Sequence, residues 1–254
     1  MIRFAALFAL LLVALSPACA ATPGDVGYRE RIGAQVPFDA GLRDEQGAPA
    51  RLADVAGGRP VILALVYYRC PNLCGVVLAD LLSALHETGL KAAQDYSLVA
   101  LSIDPSETAA DAAASKGQHL AAFPTVGADQ GWHFLTGDAA AVGAVENAVG
   151  FHAHYDAVAK QFWHPAGIVV LTPQGRVSDY LLGVGYRASE LRQAISGARL
   201  QRLAEPASPI LLLCFHIDPT TGRLTLAVTR LMQVAGVISV LGISLFMLRG
   251  WRGR

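Results

Sequence analysis

Cys70 and Cys74 stand four positions apart in "YYRCPNLCG", residues 67 to 75, directly after the apolar run "VILALV". The spacing is one residue longer than a redox C-x-x-C, and no second half of a zinc-finger pattern accompanies it. On a helix, neighbours four apart have β-carbons about 5 to 6 Å from each other, whereas a relaxed disulfide needs about 3.5 to 4.5 Å. Two thiolates on one metal ion, at roughly 2.3 Å each as for zinc, can sit roughly 4 Å apart. The spacing mildly favours a metal and still permits a strained, reducible disulfide. A structural disulfide is the plain alternative. Two thiols with no role fit an oxidising compartment poorly.

A pair of thiolates calls for a third ligand. The histidines are His86, His119, His133, His152, His154, His164 and His216. His164, in "FWHPAGIVVL", falls in a loop just before a strand, where loops cluster around a site at a sheet's end. Soft sulfurs with one imidazole suit copper best and zinc second. Such a three-ligand, partly open site would hold copper as Cu(I) or Cu(II) and release it to a partner. His152 and His154 in "FHAHY" would face the same way on one strand; they read as exposed strand histidines. Cys214 and His216 in "LCFHIDPTTGR" offer a second metal pair or a docking thiol, against the plainer reading of a lone cysteine and a strand histidine packed on the sheet.

The elements that must position these groups read as alternating strand and helix. "FDAGLRDEQGAPARL" predicts a small N-terminal β-hairpin turning around Gln46-Gly47, and "PVILALVYY" a buried parallel strand. "GVVLADLLSALHETGL" spaces Val77, Leu81, Leu82 and Leu85 along one helical stripe, with Gly89 as a stop. "DYSLVALSID" is a second buried strand. The helix after it, "SETAADAAASKGQHLAAF", takes Ser106 as its cap and Glu107 in its first turn. "GWHFLTG" is a strand, "DAAAVGAVENAVG" a helix, "GIVVLTPQGRVSDYLL" a hairpin turning at Pro173 to Gly175, and "RASELRQAISGARL" a last helix. The pattern predicts an α/β fold of thioredoxin type. Cys70 then lies at the carboxyl end of a central strand, where open α/β sheets place their sites. Pro71 suits a first helical position, and the helix dipole with Arg69 beside it would favour thiolates. Asp104-Pro105 reads as a turn after its strand.

Both ends of the chain carry targeting signals. "MIRFAALFALLLVALSPACA" has a basic Arg3, an apolar stretch and small residues at Ala18 and Ala20, the pattern of a signal peptide over 1–20. Cys19 as a lipoprotein cysteine is disfavoured by Ser16, where an aliphatic residue is wanted. The segment "LMQVAGVISVLGISLFML" holds no charge over eighteen residues, which as a helix at about 1.5 Å each nearly spans a bilayer core of about 30 Å. Arg249, Arg252 and Arg254 follow it and fit a cytoplasmic tail. The organisation expected is a signal peptide at 1–20, a leader at 21–34, the α/β domain at 35–204, a linker at 205–228, a C-terminal transmembrane helix at 229–250 and a tail at 251–254. That places a single-pass protein in a bacterial inner membrane, with its domain in the periplasm. The balance of 20 basic and 20 acidic side chains gives no argument for a nucleic-acid partner.

In order and spacing, "YYRCPNLCG", "SIDPSET", "GWHFLTG" and "WHPAGIVVLTPQGRVSDYLLG" resemble the Sco/SenC family of copper-binding thioredoxin-fold proteins over roughly residues 35 to 200. The resemblance implies that Cys70, Cys74 and His164 bind copper. It further implies a role in delivering copper to the binuclear copper centre of cytochrome c oxidase, or in reducing that centre's cysteines. In the second case Cys70 and Cys74 are a redox-active catalytic pair; a redox sensor is a third reading. The implied partner is the copper-centre subunit of the oxidase in the same membrane. The chain departs from the family pattern at Asn72 and Gly75, at Trp163-His164-Pro165 where Asp-His-Ser is usual, and in carrying its membrane helix at the C-terminus.

Overall fold

The computed structural model describes residues 26–69, 74–204 and Gly236. The expected signal peptide, Cys70 and Pro71, the linker, Cys214 and His216, and the transmembrane helix apart from Gly236 lie outside the described residues. Among the described residues no helix is long and apolar enough to cross a membrane.

In chain order the first elements are β1 (Gly27–Tyr28), β2 (Leu42–Arg43), β3 (Pro49–Ala50), α1 (Leu52–Ala56), β4 (Val61–Val66) and α2 (Cys74–Thr88). Then come β5 (Ser97–Ser102), α3 (Ala109–Ala122), α4 (Ala128–Gly131), β6 (Trp132–Gly137) and α5 (Ala139–Ala148). The last are β7 (Phe151–His152), β8 (His154–Asp156), β9 (Gln161–Trp163), β10 (Gly167–Leu171), β11 (Val177–Leu182) and α6 (Ala188–Arg199).

Every residue of β4 and β5 is buried, as expected of central strands covered on both faces. They form the middle of a seven-stranded sheet in the order β11-β10-β4-β5-β6-β2-β3. β4, β5 and β6 run parallel, and β10 lies antiparallel to β4. Alternation along β4 feeds two cores. Val61, Leu63 and Leu65 face α1 and α5 through Leu52, Val142 and Val145; Ile62, Ala64 and Val66 face α2 and α6 through Leu78, Leu81, Leu82, Leu85 and Leu191. Burying each such side chain contributes about 1.5 to 3 kcal/mol, which makes the stripe on α2 the main force seating that helix.

Several expectations meet this structure unchanged. The hairpin of β2 and β3 turns at Gln46-Gly47, the β10–β11 hairpin turns through Gly175, and α2 stops at Gly89, whose φ is +70°. The helix after β5 is a correction: its cap is Thr108, not Ser106. The Thr108 hydroxyl accepts the Asp111 N–H while the Asp111 carboxylate accepts the Thr108 N–H, a reciprocal capping box. Ser106 instead belongs to the preceding turn, where its N–H is donated to Asp104 Oδ1 at 2.8 Å. Glu107 therefore precedes the helix rather than opening it.

A second correction concerns His152 and His154. They fall on two strands, β7 paired with β1 and β8 paired with β9, so a shared face does not arise. A third concerns 21–34: β1 lies inside that expected leader, and Tyr28 is buried against Phe151, ring centroids 5.3 Å apart. The chain crosses closely here, because a Cβ on Gly150 would lie 1.9 Å from the Arg29 carbonyl oxygen. At the other end, Ala204 N–H bonds Ser178 O at 2.8 Å, beside the start of β11. Since Val177 and Val61 both pair with Leu171, the described domain is left at the amino end of β4, about 17 Å of strand away from Val66.

Candidate metal centre

The site is built at the carboxyl end of β4. Val66 accepts the Ile103 N–H at 2.7 Å, tying that end to β5. The next residues are pinned in turn. Tyr67 is buried, and the Tyr68 hydroxyl lies 2.7 Å from Ala100 O and 2.8 Å from Leu135 O. Burial, with Glu107 and Glu45 nearby, pushes the Tyr68 phenol well up, so it stays a neutral donor. Cys70 follows directly and lies outside the described residues; Cys74 is the first residue of α2. α2 in turn holds the loop after β11, because the Asp80 carboxylate accepts the N–H groups of Gly185 and Tyr186 at 2.6 and 3.1 Å.

His164 reaches the same place from the far side of the chain. It stands in the three-residue loop between β9 and β10, as expected. Its ring is edge-on to Tyr67 with centroids 5.8 Å apart and tilted against Phe151 at 6.3 Å. The antiparallel register of β4 with β10 sets Ala64 opposite Ile168, so continuing it brings the His164 loop alongside Tyr67 and Tyr68. Nδ1 lies 3.1 Å from the Pro165 carbonyl, a contact that assigns the proton to Nδ1 and makes Nε2 the nitrogen with the lone pair. Burial holds the His164 pKa below its ordinary 6.5, against a smaller opposing pull from that carbonyl. A neutral imidazole with one committed nitrogen is the form a metal needs. The placement and chemistry of His164 thus fit a soft-metal ligand at the carboxyl end of β4.

The other described histidines are placed elsewhere. His86 ends α2 beside Thr125. His119 lies on Phe134, and His133 sits near the amino end of β6. His152 is tied to Gly150 O, and His154 is exposed. Among the described residues no three His, Cys, Asp or Glu side chains form a metal-binding group; the side chains of Cys70 and Cys74 are not among those described.

Arg69 departs from expectation. Its guanidinium lies 3.4 Å from Asp104, 3.6 Å from Glu107 and 2.5 Å from the Ser106 hydroxyl. Its charge is largely offset by these two carboxylates. Asp104 shapes the turn as expected, and it also holds Arg69. Glu107 was not singled out from sequence as a site residue. Its carboxylate is wholly buried and accepts the N–H groups of Tyr68 and Arg69 and the Ser102 hydroxyl. The signal that could have found it is Thr108-x-x-Asp111, which moves the helix start past Glu107 and leaves an acid stranded before the cap.

Comparison with known proteins agrees with this architecture. The family model SCO1/SenC matches residues 30–198. A candidate electron transfer protein from Aquifex aeolicus VF5 is 25% identical, with a TM-score of 0.59, covering 66% of this chain and 95% of that one. Arabidopsis thaliana ScoI, solved with copper bound, is 17% identical with a TM-score of 0.52, covering 67% of this chain and 99% of that one. BsSco, described as a member of the Sco family of cytochrome c oxidase assembly proteins with a disulfide switch, is 15% identical with a TM-score of 0.51, covering 66% and 96%. The last two show a shared fold. Curated proteins give no significant match. With two thirds of its length matched by one family model, the chain belongs to the SCO1/SenC family.

Proposed function

We propose that this protein is a copper metallochaperone that binds one copper ion through the thiolates of Cys70 and Cys74 and the Nε2 of His164. It would pass the ion to the copper-centre subunit of cytochrome c oxidase during assembly. The observation that carries this reading is the packing of His164 on Tyr67. It brings an imidazole from the loop before β10 to a backbone position three residues before Cys70. Two thiolates and an imidazole are a soft donor set that favours copper. A site of three protein ligands at the rim of a sheet leaves room for a partner's thiolates to enter as these leave.

Export by the 1–20 segment and anchoring by the 229–250 segment would put the domain on the periplasmic face of a bacterial inner membrane. The described domain ends at Ala204, at the amino end of β4, and the centre lies at its carboxyl end.

The test is anaerobic copper titration of the reduced chain, followed by mixing with an apo oxidase copper domain. One ion per chain, lost in Cys70→Ala, Cys74→Ala and His164→Ala and transferred stoichiometrically, is the expected result. A His164→Ala variant that transfers no copper yet reduces the acceptor's disulfide at the wild-type rate would instead favour thiol-disulfide exchange. There the Cys70 thiolate displaces one acceptor sulfur, and Cys74 displaces the second, leaving a Cys70–Cys74 disulfide and two acceptor thiols.

A further inference from the structure

We propose that Glu107 is a positioning residue for the metal centre: its buried carboxylate holds the backbone that leads into Cys70 against the end of β5. Glu107 Oε1 accepts the Arg69 N–H at 2.6 Å, and Oε2 accepts the Tyr68 N–H at 2.8 Å and the Ser102 hydroxyl at 2.6 Å. The Arg69 Nε, at 3.6 Å, supplies the compensating charge. The side chain has no exposure to solvent, and a buried carboxylate is tolerated only when its lone pairs are engaged in this way.

The placement matters because of what the donors are. Two of the three are consecutive main-chain amides, and the second belongs to the residue immediately before Cys70. Peptide units are rigid and only φ and ψ are soft, so fixing the Arg69 amide leaves very few rotations between the clamp and the Cys70 side chain. The carboxylate is itself anchored from both sides. The Glu107 N–H is donated to Asp104 O at 3.0 Å, and Thr108 caps α3 directly after it. At the other end of the cysteine segment, Cys74 begins a helix seated by Leu78, Leu81 and Leu82. The segment is therefore held at both ends by the sheet, once through apolar packing and once through Glu107. No neutral side chain reproduces the clamp, because a carboxamide in place of the carboxylate offers one acceptor oxygen and turns two donors toward groups that need acceptors.

The proposal rests on the metallochaperone reading only in treating Cys70 as a ligand. The experiment compares the full chain with Glu107→Gln and Ser102→Ala. Three quantities are read: Cu(I) affinity by competition with a chelator, the midpoint potential of the Cys70–Cys74 couple, and amide hydrogen exchange at Tyr68 and Arg69. Glu107→Gln is expected to weaken copper binding about 10- to 100-fold, the range seen when a group that orients a ligand is lost. It should also shift the cysteine potential and speed exchange at both amides at least about tenfold, with β5 core amides unchanged. Ser102→Ala keeps both main-chain bonds and should stay within about threefold of wild type in affinity. Copper affinity and potential that match wild type in a folded Glu107→Gln variant, even with faster amide exchange, would overturn the proposal. If that variant does not fold, the wild-type chain decides: the Tyr68 and Arg69 amides must be slow to exchange, and rapid exchange refutes the clamp. Failure of the wild-type chain to bind copper would sink the metallochaperone reading instead, leaving the potential and the amides to judge Glu107.

Discussion

The His164 ring stands edge-on to Tyr67 with centroids 5.8 Å apart, joining two parts of the chain nearly a hundred residues apart at the end of one strand. Tyr67 also touches Phe162 at 5.6 Å, so a small aromatic cluster orients the imidazole. Replacing Tyr67 by Leu keeps much of the volume and removes the ring contacts, worth about 0.5 to 1.5 kcal/mol each beyond area. The expected outcome is a modest loss of stability together with about tenfold weaker copper binding, read by urea unfolding and chelator competition on the same sample. His164→Ala should lose copper affinity by about 100-fold or more with the fold retained. Unchanged affinity in both variants would show that this ring is not at the metal.

The cap assignment separates two hydroxyl residues two positions apart. Thr108→Ala removes a reciprocal capping box and should cost about 1 kcal/mol. Ser106→Ala removes only an exposed hydroxyl near Arg69, and should cost less than about 0.5 kcal/mol. Denaturant midpoints of the two variants decide; a larger loss at Ser106 would return the helix start to that residue.

This pair also shows what the sequence makes legible. β4 and β5 could be read because each is apolar throughout, and α2 because its leucines recur on one face. Thr108 and Ser106 could not be ranked from propensity alone, since both are good caps with an acid nearby. The β8–β9 hairpin was unreadable for another reason. It lacks apolar alternation, and its turn is closed by the Asp156 side chain accepting the Val158 and Ala159 N–H groups at 2.9 and 3.0 Å. Glu107 was hidden more deeply. A charged residue reads as surface until tertiary structure brings donors from Tyr68, Arg69 and Ser102 onto it. The proposed ligands Cys70, Cys74 and His164 were visible by type, while the placing of His164 beside Tyr67 depends on the antiparallel return of β10 beside β4.

Leu81 tests the seating of α2. It is fully buried on the stripe facing β4 and β5. Leu81→Ala should cost about 2 to 5 kcal/mol. Because that loss falls on the helix that begins at Cys74, copper binding should weaken as the variant nears its unfolding midpoint, and recover at lower temperature. A destabilised variant whose copper affinity is independent of its folded fraction would refute the coupling.

The pH dependence of stability follows from His133. Its Nε2 is buried without a hydrogen-bond partner among the described residues. Burial, reinforced by the Lys116 ammonium and opposed by Glu45, pushes its pKa down to about 4 from 6.5. In the unfolded chain the imidazole takes up a proton near pH 6.5, and in the folded chain only near 4, so between these values the unfolded state binds more protons. Stability is then full above about pH 6.5 and falls as pH drops toward 4, by up to about 3 kcal/mol at 1.36 kcal/mol per pKa unit. Glu146 works in the opposite sense: burial pushes its pKa from 4.5 up to about 7, so its contribution is full below about pH 4.5 and is lost as pH rises to 7, opposing His133 over the window they share. The two are separated by difference. His133→Gln, which cannot titrate, leaves the Glu146 slope unopposed, so its urea-unfolding free energy should rise relative to wild type as pH drops from 6.5 to 4.5. Glu146→Gln should leave the His133 slope unopposed, so its unfolding free energy should fall more steeply than that of wild type as pH drops from 6.5 to 4.5. Parallel curves for wild type and His133→Gln would mean that the ring is protonated as readily in the folded chain as in the unfolded one.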